Sequence, residues 1–213
     1  MNMTKTRLHL ATVLGLSLLL GACAIGERSR NLADPAVPAA MLAEQVCSIC
    51  HGVDGNPVSP TFPRLAGQSA AYLSGELQAF RSHQRSDRAA RDYMWGISRT
   101  LNDATIGALA DYYARQVPAR ARSVAGVSVS TGEQLFHHGD PEHGIPACAG
   151  CHGERGQGSA VFPRIAGQQD GYLRQQMRQI RLGSRAAPSM QAVVARMDDA
   201  QIDALADFLA VQP

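Results

Sequence analysis

Two short stretches of the chain hold residue types that could do chemistry: Cys47-Ser48-Ile49-Cys50-His51 and Cys148-Ala149-Gly150-Cys151-His152. Each has the form C-x-x-C-H, the spacing at which haem is attached to protein. Two thiols three positions apart on a helical turn can bond both vinyl groups of one porphyrin. The histidine beside them then lies under the iron and offers it a ring nitrogen. Two other uses of the cysteines compete: one zinc ion held by both pairs, or two redox dithiols. A shared zinc would join the halves at one site, yet each half carries its own full set of downstream motifs. A thioredoxin-like dithiol needs a βαβ setting, and the pattern holds none. The spacing therefore predicts two covalently bound haem c groups. Cys47, Cys50, Cys148 and Cys151 are the expected attachment points, and His51 and His152 the expected iron ligands.

What such an iron does depends on its sixth ligand. The first half has one methionine downstream of its cysteine pair, Met94, in a predicted loop seven residues before Leu101. The second half has Met177, Met190 and Met197. Met177 aligns with Leu77 on an apolar helix face and Met197 aligns with Leu101, so both are expected in the core. Met190 stands seven residues before Met197, as Met94 stands before Leu101. An isolated methionine usually fills a core gap, but matched placing in two repeats marks Met94 and Met190 as axial ligands. His/Met ligation fills all six positions and raises the potential, favouring electron transfer over substrate binding.

The elements that must position these residues come twice. Phe62-Pro63-Arg64-Leu65-Ala66-Gly67-Gln68 returns as Phe162-Pro163-Arg164-Ile165-Ala166-Gly167-Gln168, and Tyr72-Leu73 as Tyr172-Leu173. Each half reads as one small domain, 37–117 and 131–213, joined by a linker over 118–130. Ile106, Leu109, Ala110 and Tyr113 fall at helical spacing behind an Asn102 cap. Ile202, Leu205, Ala206 and Leu209 repeat this behind Asp198, with Gln201 placed for a capping box. Leu73, Leu77 and Phe80 line a middle helix, matched by Leu173, Met177 and Ile180. A short helix precedes each cysteine pair, and no β-branched alternation is long enough for a sheet. The predicted fold is all-α: two tandem helical bundles, each closed around one haem. A domain this small is near the size where side chains alone make a marginal core, so a bulky apolar cofactor would complete it.

Residues 1–22 read as a secretory leader: Lys5 and Arg7 precede an apolar run from Leu10 to Leu20. That run is shorter than the ~20 residues needed to span a bilayer. Leu20-Gly21-Ala22-Cys23 has the form of a lipoprotein processing site, with a lipid on Cys23, while Ala22-Cys23-Ala24 also suits ordinary cleavage. Residues 23–36 then read as a tether. Without the leader, 18 basic residues face 18 acidic ones, so nothing points to nucleic acid.

C-x-x-C-H-G followed by F-P-R-[LI]-A-G-Q, twice, resembles the class I c-type cytochromes and specifically the diheme cytochrome c4 family. The resemblance spans about Val37 to Gln212. It implies that Pro63 and Pro163 offer their carbonyls to His51 and His152, the support expected for a metal-bound histidine. Gly132-Glu133-Gln134-Leu135-Phe136 resembles the family's first helix, which crosses the last. Domain one departs from the pattern with a weaker first helix, and its segment from Ser82 to Tyr93 is four residues longer than its counterpart.

The resemblance implies a non-enzymatic electron carrier; the leader places it in the periplasm, and a lipid on Cys23 would hold it at a membrane. Its partners would be redox proteins, a donor and a membrane-bound acceptor such as a terminal oxidase. A second reading is the cytochrome subunit of a dehydrogenase complex, such as a flavocytochrome sulfide dehydrogenase. A third is a diheme peroxidase, against which the two matched methionines argue. His83, His137, His138 and His143 are expected to be solvated. Arg174, Arg178, Arg181 and Arg185, echoed by Arg81, Arg85, Arg88 and Arg91, read equally as a docking or propionate-binding stripe and as a solvated helix face.

Overall fold

A computed structural model describes residues 30–119 and 129–213. The leader, Cys23 and most of the linker lie outside the described residues. In domain one, helix α1 (Ala39–Leu42) runs through a π-turn (Ala43–Cys47) into α2 (Ser48–His51). Then come α3 (Ala70–Arg81), a second π-turn (Ala90–Met94) leading into α4 (Trp95–Ser98), and α5 (Asp103–Ala114). Domain two holds α6 (Ser130–His138), a 3-10 turn (Pro141–His143), α7 (Ala149–His152), α8 (Asp170–Arg181), α9 (Pro188–Val194) and α10 (Asp199–Ala210). Among the described residues, β-pairing is limited to isolated bridges.

The expected caps form. The Asn102 carboxamide oxygen accepts from the Thr105 amide at 2.8 Å. Asp198 accepts from the Gln201 amide at 2.7 Å while the Gln201 side chain accepts from the Asp198 amide at 3.0 Å, a closed capping box. Behind these caps, Ile106, Leu109, Ala110 and Tyr113 bury against Leu42, Leu73 and Leu101. Ile202, Leu205, Ala206 and Leu209 bury against Phe136, Leu173 and Ile180, and Met177 and Met197 lie in that same core. Each of the buried Leu, Ile, Phe and Met side chains stabilises the fold by about 1.5–3 kcal/mol. Leu32 also packs on the first core, so the described end of the tether lies against domain one.

Three details differ from the expectations. Met94 and Met190 lie on helices rather than in loops, Met94 closing the second π-turn and Met190 inside α9. Pro188 at the first helical position starts α9 early. In domain one the chain is helical from 88 to 98, so the four extra residues lengthen a helix by about one turn. Ser130, read as linker, opens α6.

Helices α6 and α10 cross where Gly132 removes a side chain. A methyl at Gly132 would sit 2.1 Å from the Ala204 carbonyl oxygen and 2.6 Å from Phe208 Cβ. Such overlap forces the backbones apart. Gly132→Ala is expected to destabilise domain two by about 1–3 kcal/mol and to lower its thermal midpoint, with domain one much less affected. Unfolding monitored by circular dichroism checks this.

Candidate haem sites

In each domain a helical turn carries the cysteine pair and ends at a histidine followed by a glycine. Gly52 and Gly153 adopt φ of +77° and +81°, a conformation that a side chain resists. The chain thereby leaves the helix at once and returns to the F-P-R-[LI]-A-G-Q segment. The His51 Nδ1 lies 3.0 Å from the Pro63 carbonyl oxygen and the His152 Nδ1 2.9 Å from that of Pro163. A carbonyl only accepts, so Nδ1 carries the proton and Nε2 keeps the lone pair a metal needs. Burial lowers the pKa of both histidines, against the opposing pull of the proline carbonyls, so the imidazoles stay neutral. Phe62 stands edge-on to His51 at 6.1 Å and Phe162 to His152 at 6.3 Å, the same arrangement twice.

Cys47 packs on the domain-one core, and Cys148 and Met190 on the domain-two core. Burial pushes the Cys47 thiol up and that of Cys148 to about 11, so both are held protonated. Tyr93, which precedes Met94, meets Phe62 edge-on at 6.0 Å. One phenyl ring thus separates the Met94 segment from His51. The two π-turns of domain one end on Cys47 and on Met94. Such extra-residue turns recur at functional sites because they re-aim the side chains that follow. A pair of thiols on one turn, a histidine with Nε2 free, an apolar wall and a thioether in each domain fit a covalently held haem.

The other candidates resolve plainly. His83 and His138 are exposed, His143 pairs with Asp140 at 2.7 Å, and His137 is partly exposed. Among the described residues no group of three or more His, Cys, Asp or Glu side chains could hold a metal ion. The arginine stripe of domain two is largely a lattice of ion pairs. Arg174 binds Asp170, Asp203 and Asp207, and Arg178 and Arg181 reach Asp199 and Asp203. The pairs to Asp199, Asp203 and Asp207 tie α8 to α10.

The resemblance implies that the two domains pack together, but sequence reasoning did not identify the residues that join them. Gln68 accepts from the Arg164 amide at 2.7 Å and donates to the Arg164 carbonyl at 2.9 Å. Gln168 does the same with Arg64, at 2.8 and 3.0 Å. The motif that supports each histidine therefore also holds the opposite domain, about a pseudo-two-fold axis. Arg85 and Arg185 face each other in an antiparallel bridge, both buried. Arg85 binds Glu76, Asp87 at 2.8 Å and Gln176 at 2.6 Å, while Arg185 binds Glu76 at 3.1 Å, Gln176 at 2.8 Å and Tyr72 at 2.5 Å. The recurrence of Gln68 as Gln168 and of Arg85 as Arg185 was the available signal; nothing local says that they reach across.

The cytochrome c family model matches this chain over residues 36–114 and again over 129–212. Cytochrome c4 of Pseudomonas aeruginosa is 32% identical over 97% of this chain and 98% of its own length. A thiosulfate dehydrogenase electron acceptor of Thiomonas intermedia is 38% identical, over 78% of each chain. The solved structure of Acidithiobacillus ferrooxidans cytochrome c4 superposes with a TM-score of 0.74 at 36% identity, covering 78% of this chain and 97% of that one.

Glu76 sits where the interface is most charged. Burial raises its pKa, but Arg185 and Arg85 more than offset this and hold it below the usual carboxylate value. Its charge therefore stabilises the folded pair above the unfolded pKa of about 4.3 and stops doing so as pH falls through the lower folded value. Glu76→Gln is expected to cost about 3 kcal/mol at neutral pH and less at acid pH. Chemical denaturation at the two pH values checks both expectations.

Proposed function

The chain belongs to the cytochrome c family, as a two-domain cytochrome c4 that carries electrons on two covalently bound haem c groups, and we propose that it works in the periplasm, passing single electrons from respiratory donors to a membrane-bound acceptor such as a terminal oxidase. A haem iron closed by two protein ligands cycles between ferrous and ferric and so moves one electron. Cys47 and Cys50 would bind one porphyrin and Cys148 and Cys151 the other, with His51 and His152 ligating through Nε2. Met94 and Met190 would close the sixth positions. The observation that carries this reading is the duplicated hydrogen bond from His51 to Pro63 and from His152 to Pro163. It fixes the tautomer and plane of each imidazole, so that a change of oxidation state need move little around the iron.

The secretory leader and Cys23 support an anchored carrier. A lipid at Cys23 would confine the protein to a membrane surface and raise its effective concentration beside a membrane-bound acceptor. A second reading, the dedicated electron acceptor of a dehydrogenase, is favoured by the Thiomonas relative. Copurification of a stable dehydrogenase partner separates it from a free carrier.

The visible spectrum of the purified protein, oxidised, reduced, and reduced under carbon monoxide, tests the ligation. Two low-spin haems per chain that ignore carbon monoxide are expected. Binding of carbon monoxide at one haem in the parent protein would mean an open iron and favour a peroxidase. Met190→Ala is expected to leave the second haem attached but open to carbon monoxide. An unchanged spectrum in that variant would move the ligand elsewhere, with Met197 the next candidate.

A further inference from the structure

The two methionine segments are held differently, and the difference runs through one residue, Arg85. Its guanidinium binds the Asp87 carboxylate at 2.8 Å, and the other Asp87 oxygen accepts from the Ala90 amide at 3.3 Å, at the start of the turn that ends on Met94. Its carbonyl accepts from the Trp95 indole N–H at 2.8 Å, just past Met94. Both flanks of Met94 are thus tied to one residue. That residue also faces the other domain, through the bridge to Arg185 and the bond to Gln176. The face of Trp95 is covered by His83, stacked 4.0 Å away at an interplanar angle of 19°. His83 holds φ at +59°, a strained conformation for a side chain, where domain two has Gly183 at +76°.

Domain two repeats Arg85 as Arg185 but not its attachments. Ala187 stands at the helix start where domain one has Asp87, and Gln191 follows Met190 where Trp95 follows Met94. Met190 rests instead on its own domain's apolar core. A buried hydrogen-bond network and core packing are different constraints. The first includes partners in the opposite domain, Gln176 and Arg185, and the second does not.

We propose that Arg85, Asp87 and Trp95 are positioning residues for the sixth ligand of the first haem, making Met94 ligation dependent on the docked domain pair while Met190 ligation is independent of it. This rests on Met94 and Met190 being the axial ligands. The test uses the full-length protein with both haems attached. Each bound methionine gives an upfield-shifted ε-methyl proton resonance in the reduced state and a weak near-infrared charge-transfer band in the oxidised state. Met94→Ala removes one resonance and so assigns it; loss of neither would overturn the ligand assignment and the proposal with it. Trp95→Phe keeps a ring against His83 but loses the N–H, and Asp87→Asn loses the carboxylate charge.

Either change is expected to raise the cyanide affinity of the first ferric haem roughly three- to tenfold, the range that follows from losing one buried hydrogen bond. It should weaken that haem's charge-transfer band and leave the second haem unchanged. Gln191→Leu, the domain-two counterpart, should change neither haem. Gln176→Leu, in the opposite domain, should act on the first haem as Trp95→Phe does. Unaltered cyanide affinity in both Trp95→Phe and Asp87→Asn would overturn the proposal, as would equal changes at both haems. A response to Trp95→Phe with none to Gln176→Leu would overturn its interdomain part.

Discussion

The structure depends most on one hydrogen bond made twice, from a histidine Nδ1–H to a proline carbonyl. The acceptor is a backbone carbonyl, so only the histidine side of the bond can be removed by changing a side chain, and the bond fixes which imidazole nitrogen keeps its lone pair. The segment that supplies the carbonyl has no spare freedom. Leu65 and Ala66 amides donate to the Gly55 carbonyl at 2.8 and 3.2 Å, and the Gly67 amide to Tyr113 at 3.0 Å. The Arg64 amide and carbonyl are taken by Gln168 of the other domain. Seven consecutive residues thus join the histidine to the last helix of its own domain and to the neighbouring domain. Electron transfer favours such stiffness, because ligands that shift little between oxidation states leave little to rearrange.

The two domains are a repeat in their supports and not in their charges. Gln68 and Gln168 clasp opposite backbones symmetrically, and Arg85 and Arg185 meet across the axis. The carboxylates do not follow the symmetry: Glu76 is matched by Gln176 and Asp87 by Ala187. Two buried guanidiniums therefore share charge partners drawn from domain one alone. Burying two cations costs several kcal/mol each unless they are paired; Arg85 is compensated by Glu76 and Asp87, and Arg185 by Glu76. Domain one consequently holds the polar half of the interface, and its methionine segment is built into that half through Asp87 and Trp95.

Much of this was legible in the sequence because it rests on local rules. The cysteine and histidine spacing dictated two haems. The helical period of Ile106, Leu109, Ala110 and Tyr113, and the caps Asn102 and Asp198, dictated where the last helices begin and which faces are buried. The duplicated motif dictated two domains. All of these follow from interactions between residues close along the chain, where geometry is fixed by the helix itself. That Met94 and Met190 lie on helices is not legible in the same way, because these segments are short and carry no clear apolar period, and only packing decides whether they coil.

The tertiary structure alone decided the rest. Whether an arginine stripe meets solvent, an acidic neighbour or another domain depends on what stands opposite it, and residues such as Arg174 and Asp207, or Arg85 and Gln176, are brought together only by folding. Gln68 and Gln168 carry no mark of their partners, since a carboxamide serves any backbone that presents both an N–H and a carbonyl. The sequence by itself determined the chemistry each half performs and the helices that frame it. The docking of the halves, and the unequal tethering of Met94 and Met190 that follows, came from contacts about 90 to 110 residues apart, beyond the reach of any local rule.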